Sequence, residues 1–223
     1  MRALASKLGA GLVGLDLVLS DAQVAALLDY LALIQKWTKV YNLTAVRDPG
    51  EMLTHHLLDS LAVIAPLRRQ LATLGLRPVE GSALRLLDVG SGAGLPGVVI
   101  AICCPDIRVD CVDTVGKKAA FIQQVAVTLK LPNLRGVHAR VESLTDTYQV
   151  ISSRAFASLL DFTNWSVGAL AVQGVWMAMK GKHPADEMAA LPLGVEVFHV
   201  EQLVVPGLDA DRCIVWMRPA AGG

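Results

Sequence analysis

Two textures of apolar spacing divide this chain. In the first, Val24, Leu27, Leu28, Leu31, Ile34 and Trp37 recur at helical intervals and give one apolar face. Ser20, followed three residues later by Gln23, forms a capping-box pattern that predicts where this helix starts. Tyr41-Asn42-Leu43-Thr44 interrupts the periodicity. A second helix is predicted from Asp48-Pro49-Gly50-Glu51, since Asp can cap, Pro suits the first helical position and Glu suits the third. It carries Leu53, Leu57 (or His56), Leu61 and Ile64 on one side and is expected to stop near Pro66. Residues 66–83, punctuated by Gly75, Pro78 and Gly81, read as a connector.

The second texture begins at Leu84. Leu84–Val89, Ile107–Val112, Leu134–Ala139 and Tyr148–Ser152 are short β-type runs, separated by helical patterns at 95–103 and 116–130. Strands alternating with helices predict a parallel sheet of right-handed βαβ units. A helix near 158–171, a strand at Gly174–Met179 and a short helix near 184–191 follow. Val195–Val205 and Cys213–Arg218 are separated only by the turn-rich Pro206-Gly207-Leu208-Asp209, so they should pair antiparallel. The expected architecture is α/β: an open, mostly parallel Rossmann-like sheet of seven strands ending in an antiparallel hairpin. A small helical cap and connector (1–83) precedes the main domain (84–223), the two forming one compact unit.

Candidate chemistry concentrates between the first strand and the helix after it. Leu86-Leu87-Asp88-Val89-Gly90-Ser91-Gly92-Ala93-Gly94-Leu95-Pro96-Gly97 is an apolar run ending in an acid, then four closely spaced glycines. Glycines let the backbone approach a ligand and take φ angles that other residues avoid. A helix N-terminus behind them is expected to offer unpaired N–H groups to an anionic or polar ligand.

Composition narrows the class. With 53% hydrophobic residues in 223 and a mean hydropathy of +0.49, a substantial core is expected and disorder is excluded. The longest apolar stretch, Trp165 to Met179, contains Gln173 and two glycines and falls short of the roughly 18 clean apolar residues of a membrane span. Met1-Arg2-Ala3-Leu4 does not lead into a signal-peptide core, which predicts a cytoplasmic protein without membrane attachment. Cys103, Cys104, Cys111 and Cys213 lie in apolar runs without C-x-x-C spacing, so buried reduced thiols are expected rather than a metal site. Lysine plus arginine equal aspartate plus glutamate at 20 each, which argues against a broad, non-specific grip on nucleic acid.

Two ligands suit the glycine loop. Gly92-x-Gly94-x-x-Gly97 matches the dinucleotide fingerprint, with Asp113 about twenty residues on to hold a ribose; a small NAD(P)-dependent oxidoreductase is one reading. S-adenosylmethionine is the other. Asp88 suits water or amine contacts of a methionine group better than a pyrophosphate. The terminal hairpin is the ending of class I methyltransferases, and little chain remains for a separate substrate domain.

Four segments together resemble one family. They are Tyr41-Asn42-Leu43-Thr44-Ala45-Val46-Arg47-Asp48, His56-Leu57-Leu58-Asp59-Ser60, the glycine segment Asp88 to Gly97, and Ser153-Arg154-Ala155-Phe156-Ala157-Ser158. The chain resembles the RsmG, or glucose-inhibited division protein B, family of bacterial 16S ribosomal RNA guanine-N7 methyltransferases, from about Ser20 to the final strand. Lys118 where an arginine is common, and a longer connector at 67–83, are the visible departures.

The resemblance implies S-adenosyl-L-methionine as cofactor and N7 of a guanosine in the 530-loop hairpin of 16S ribosomal RNA as acceptor. The substrate is expected within the small ribosomal subunit and the enzyme as a monomer. By the same resemblance Gly90 and Leu95, with Asp88 and Gly92, lie along the methionine end. Asp113-Thr114 meet the ribose, Val141-Glu142 frame the adenine, and Arg154 contacts cofactor, RNA phosphate or both. Lys180, Lys182 and His183 are candidates to grip phosphates, and Lys117, Lys118, Lys130, Arg135 and Arg140 add to the basic residues of this half. His55 and His56 sit in an amphipathic helix, where packing or capping roles are expected. Guanine N7 has a free lone pair, so no catalytic base is assigned, with Arg154 and Lys180 as positioning candidates. A non-catalytic ribosome-binding protein on the same fold is a further alternative.

Overall fold

The computed structural model describes residues 2–76 and 83–220. The end of the expected connector, with Pro78 and Gly81, lies outside the described residues.

The cap begins with a helix that the sequence pattern did not signal, α1 (Arg2–Gly14), whose Leu8 and Leu12 enter the main core. The second helix, α2 (Asp21–Tyr41), starts at the expected capping box: the Ser20 hydroxyl accepts from Gln23 N, and the Gln23 side chain reaches back to Ser20 N at 3.0 Å. Gln23 Nε2 also donates to the carbonyls of Ile102 (3.0 Å) and Cys103 (3.3 Å), so one side chain both caps the helix and ties it to the main domain. Leu27, Tyr30, Leu31 and Ile34 form the buried face. Asn42, at φ 52°, ends the helix, and Arg47 closes the turn by donating to Asn42 Oδ1 (2.7 Å) and the Thr38 carbonyl (3.0 Å). The 41–48 segment therefore has a structural task of its own.

Asp48 caps α3 (Pro49–Met52) as expected, its Oδ1 accepting from Glu51 N at 2.9 Å. The helix then widens into a π segment (Leu53–Leu58) before α4 (Asp59–Leu61). Every residue from His56 to Ile64 is buried, so this part of the cap is enclosed on nearly all faces and takes both Leu57 and Leu58 into the core. Pro66 does not end the helical region. It lies in the first turn of α5 (Ile64–Thr73), where its missing N–H costs nothing, so the first part of the expected connector is helix.

Seven strands follow: β1 (Leu84–Val89), β2 (Ile107–Asp113), β3 (Leu134–His138), β4 (Tyr148–Arg154), β5 (Leu170–Lys180), β6 (Val195–Leu203) and β7 (Arg212–Pro219). Their order is β3-β2-β1-β4-β5-β7-β6, with β7 alone antiparallel to its neighbours β5 and β6. Helices α6 (Gly97–Cys103), α7 (Gly116–Thr128), α8 (Leu159–Ser166) and α9 (Ala185–Ala189) connect them. Adjacent strand residues divide between two cores: Leu86 joins the cluster under the cap and Leu87 the cluster containing Leu159, Phe162 and Trp176. Strand order reverses between β1 and β4, and at such a switch point a crevice opens beyond the carboxyl ends of the strands.

The four cysteines are free and buried, and burial pushes the Cys103 thiol up to about 12 and Cys104 up to about 11. No helix among the described residues is long and apolar enough to cross a membrane.

Candidate active site: a divided crevice at the switch point

The glycine loop leaves β1 at the switch point, and two cavities of about 470 and 510 Å³ lie beside it. Gly90 and Ala155 line both. Phe156 stands between loop and crevice: a Cβ at Gly90, where φ is 65°, would overlap its ring, and the ring meets Trp165 edge-on at 5.8 Å. The backbone at Gly90 must be bare because this aromatic lies on it.

Asp113, Thr114, Val141 and Glu142 line the larger cavity together, beside apolar surface from Val112, Val115 and Trp165. Asp113, at the end of β2, accepts from Gly92 N (3.1 Å) and Val115 N (2.9 Å), with Lys118 Nζ at 3.4 Å. The acid thus shapes the loop as well as facing the cavity. It makes no cap for α7, whose N-cap is Val115 without a side-chain bond.

The smaller cavity is lined by Gly92 and Leu95 from the loop, Arg154 and Lys180 from strand ends, and Leu43, Thr44, His55, His56 and Asp59 from the cap. Arg154 Nη1 donates to Asp59 Oδ2 (2.8 Å) and to the His55 carbonyl (3.0 Å). Arg212 Nε donates to the other oxygen of Asp59 at 2.8 Å and lines the same cavity. Lys180 Nζ donates to Glu187 Oε2 (2.7 Å) and the Ala157 carbonyl (2.9 Å). His56 Nε2 lies 2.8 Å from Thr44 Oγ1, and burial, then Arg154, lowers its pKa to about 4. His55 is exposed.

One expected contact, that of Asp88, is placed differently, and two of the basic residues stand apart from the loop. Asp88 lines neither cavity: wholly buried beneath the loop, it accepts from Gly97 N (2.9 Å) and Ser152 Oγ (2.9 Å). The start of α6 therefore gives its first N–H to Asp88 rather than to a ligand, and a Cβ at Gly97 would overlap Cys111 Sγ. Burial raises the Asp88 pKa to about 6 against these hydrogen bonds. Lys182 is exposed and lines an outer depression beside Arg212. Arg135 sits at the amino edge of the sheet, bound to buried Asp110 at 2.7 Å, far from the loop.

Asp59 and Arg212 are the site residues that sequence reasoning missed. Asp59 had one signal, an acid within an apolar helical stripe. Arg212 had another: the first residue of an antiparallel strand reaches the edge where parallel strands end.

The donor set fits S-adenosylmethionine. The larger cavity offers carboxylates and apolar walls suited to a nucleoside, and it shares Gly90 and Ala155 with the chamber between loop and cap. Sheet order and the reversed β7 define the class I methyltransferase fold. Among solved structures, TrmN from Thermus thermophilus is similar at 18% identity and TM-score 0.53, covering 69% of this chain and 48% of that one. A SAM-dependent methyltransferase from Aquifex aeolicus is similar at 16% identity and TM-score 0.50, covering 71% and 92%.

The family model for rRNA small subunit methyltransferase G (GidB) matches residues 23–215. The chain is 72% identical to ribosomal RNA small subunit methyltransferase G of Albidiferax ferrireducens over 99% of this chain and 100% of that protein. It is 67% identical to the protein of the same name from Polaromonas naphthalenivorans over 98% and 97%. The chain belongs to the rRNA small subunit methyltransferase G family.

Proposed function

We propose that this enzyme transfers the methyl group of S-adenosylmethionine to N7 of one guanosine in the 530-loop hairpin of 16S ribosomal RNA. The observation that carries the reading is the junction at Gly90 and Ala155. These two residues line both a nucleoside-sized cavity bearing Asp113 and Glu142 and a chamber shared by the cap and the basic strand ends.

When bound, the cofactor supplies an electrophilic methyl on a cationic sulfur. Asp113-Thr114 hold the ribose, Val141-Glu142 frame the adenine, and Gly90, Gly92 and Leu95 border the methionine end. Asp88 acts from below, fixing the loop through Gly97 and Ser152. Arg154 holds the cofactor's carboxylate, an RNA phosphate or both, and Lys182 meets RNA outside the chamber. Lys180 braces the 155–158 turn through Ala157. N7 carries a lone pair and no proton at neutral pH, so the residues need only hold acceptor and donor in line. His56, with its pKa near 4, stays neutral and adds no positive charge to the chamber it lines.

An extruded guanine reaches the chamber between cap and sheet, so recognition by RNA shape fits a chain with no net charge. Residues 1–83 serve as cap and connector and 84–223 as the methyltransferase domain. The enzyme works as a cytoplasmic monomer on the small ribosomal subunit.

The test is methylation of small subunits lacking the modification, with the modified base mapped. Label at N7 of a single 530-loop guanine is expected. Binding to subunits without methyl transfer would make the protein a non-catalytic ribosome binder. Calorimetry that finds tight NAD binding and no S-adenosylmethionine binding would make it an oxidoreductase.

A further inference from the structure

We propose that Asp59 is a positioning residue that sets Arg212 to hold a backbone phosphate of the nucleotide being methylated. This rests on the RNA methyltransferase reading above.

Three cations end up at one edge of the sheet through topology alone. Arg154 ends β4, Lys180 ends β5, and Arg212 begins β7, whose reversed direction returns it to the carboxyl edge with Cys213 opposite Lys180. Their counter-charges are unequal. Lys180 has its own acid in Glu187 at 2.7 Å, whereas Arg154 and Arg212 divide the two oxygens of Asp59, both at 2.8 Å. The Asp59 side chain is 3% exposed and the two arginines 22% and 24%, so the carboxylate is hidden and the guanidinium faces remain open. One positive charge is left over.

Both arginines line the cavity and keep donors unused. Arg154 employs only Nη1 in protein hydrogen bonds, and Arg212 employs Nε and Nη1, the latter on the Asp211 carbonyl. Among the described residues Nη2 of each has no protein acceptor. A guanidinium fixed by a buried acid with an open N–H is pre-organised for a phosphate oxygen.

The backbone position of Arg212 and its place at the outer rim of the chamber favour the RNA as its partner. The cofactor loop leaves β1, and β7 lies three strand positions away, about 14 Å at the usual inter-strand spacing. Arg212 also lines an outer depression of about 760 Å³ with Lys182, so it stands where the chamber meets the surface. Asp209 and Asp211 line that depression too, which suits one located phosphate rather than a long polyanion track.

The test compares Arg212→Gln, Asp59→Asn and the double variant in methylation of unmodified small subunits. Arg212→Gln leaves Asp59 paired with Arg154, so it should fold; S-adenosylmethionine affinity by calorimetry confirms this. The expected result is a KM for subunits raised about tenfold, cofactor affinity within about twofold of wild type, and a salt dependence shallower by about one ion. Asp59→Asn should raise the same KM, and the double variant should raise it by less than the two single effects combined, since Asp59 acts on the RNA through Arg212. Arg212→Lys should recover part of the loss, since it restores charge without the fork. Loss of cofactor affinity with unchanged KM would assign the pair to the cofactor and overturn the proposal, as would an unchanged salt slope. Failure of the wild-type enzyme to methylate any subunit would instead overturn the functional reading itself.

Discussion

The buried hydroxyl of Tyr30 donates to the carbonyl oxygen of Ala93 at 2.6 Å, so a side chain of the cap holds the crest of the glycine loop. Burial holds the Tyr30 pKa well above its ordinary value, which keeps the hydroxyl a donor throughout the working range. Together with Gln23 on the α6 carbonyls, it ties the cap to the glycine loop and the helix behind it.

Tyr30→Phe keeps the ring and removes only the donor. A buried carbonyl without its partner costs about 1–3 kcal/mol. Thermal or urea unfolding should register a loss in that range. S-adenosylmethionine affinity should drop several-fold because the loop loses its anchor. Wild-type affinity in a measurably destabilised variant would show that the cap supports the fold without shaping the site.

Gly90 is sterically the most exacting position of the loop. Its φ of 65° costs a residue with a side chain about 1–2 kcal/mol, and any Cβ there overlaps Phe156. Gly90→Ala should weaken cofactor binding at least tenfold, and Gly90→Asp, which adds a charge, should abolish it. Gly90→Ala with Phe156→Ala removes the overlap and leaves the backbone strain, so affinity should return in part. If the double variant binds no better than Gly90→Ala, the ring is not the obstacle.

Much of this was legible because it depends on neighbours in sequence. The boundaries of β1, the Ser20 capping box and the Asp48 cap follow from residues within a few positions of one another. What stayed hidden depends on distant pairings. Arg154 and Arg212 meet Asp59 from 95 and 153 positions away, and only the strand order brings them together. Asp88 looked like a ligand contact because a strand-end acid before glycines commonly faces a crevice. Its rotation under the loop is set by Gly97 and Ser152. The π segment left no periodic mark, since one inserted residue only blurs an α-helical stripe.

Two buried titrating groups near the loop oppose each other in acid. His56 has its pKa lowered from 6.5 to about 4, chiefly by burial, so the folded state resists a proton that the unfolded chain accepts. Its contribution is present above pH 6.5 and is lost as pH falls toward 4. Asp88 is raised from 3.8 to about 6, again chiefly by burial. Its contribution is fully present below pH 3.8 and is lost as pH rises through 6. Each is worth roughly 3 kcal/mol, with opposite sign across nearly the same window. Asp88→Asn leaves the His56 effect uncovered, so that variant should lose stability more steeply than wild type between pH 6.5 and 4. His56→Gln should do the reverse and gain relative stability in acid. Parallel unfolding curves for all three proteins across this range would remove both assignments.

Lys180 completes the contrast with Arg212 at the same edge of the sheet. Glu187 receives Lys180 and also accepts from Leu159 N at 2.7 Å, so one acid links the end of β5 to the first turn of α8. Lys180 in turn donates to Ala157, inside the segment that carries Arg154 and Phe156. A lysine with both partners supplied by the protein braces that turn and has little charge to spare for RNA. Lys180→Met keeps most of the stem and removes the ammonium. It should cost about 1 kcal/mol of stability, as expected for a partly exposed pair, and lower kcat as the 155–158 turn loosens. The salt dependence of subunit binding should stay at the wild-type slope, unlike that of Arg212→Gln. A slope shallower by about one ion in Lys180→Met would mean that RNA draws the ammonium away from Glu187, making Lys180 a phosphate contact after all.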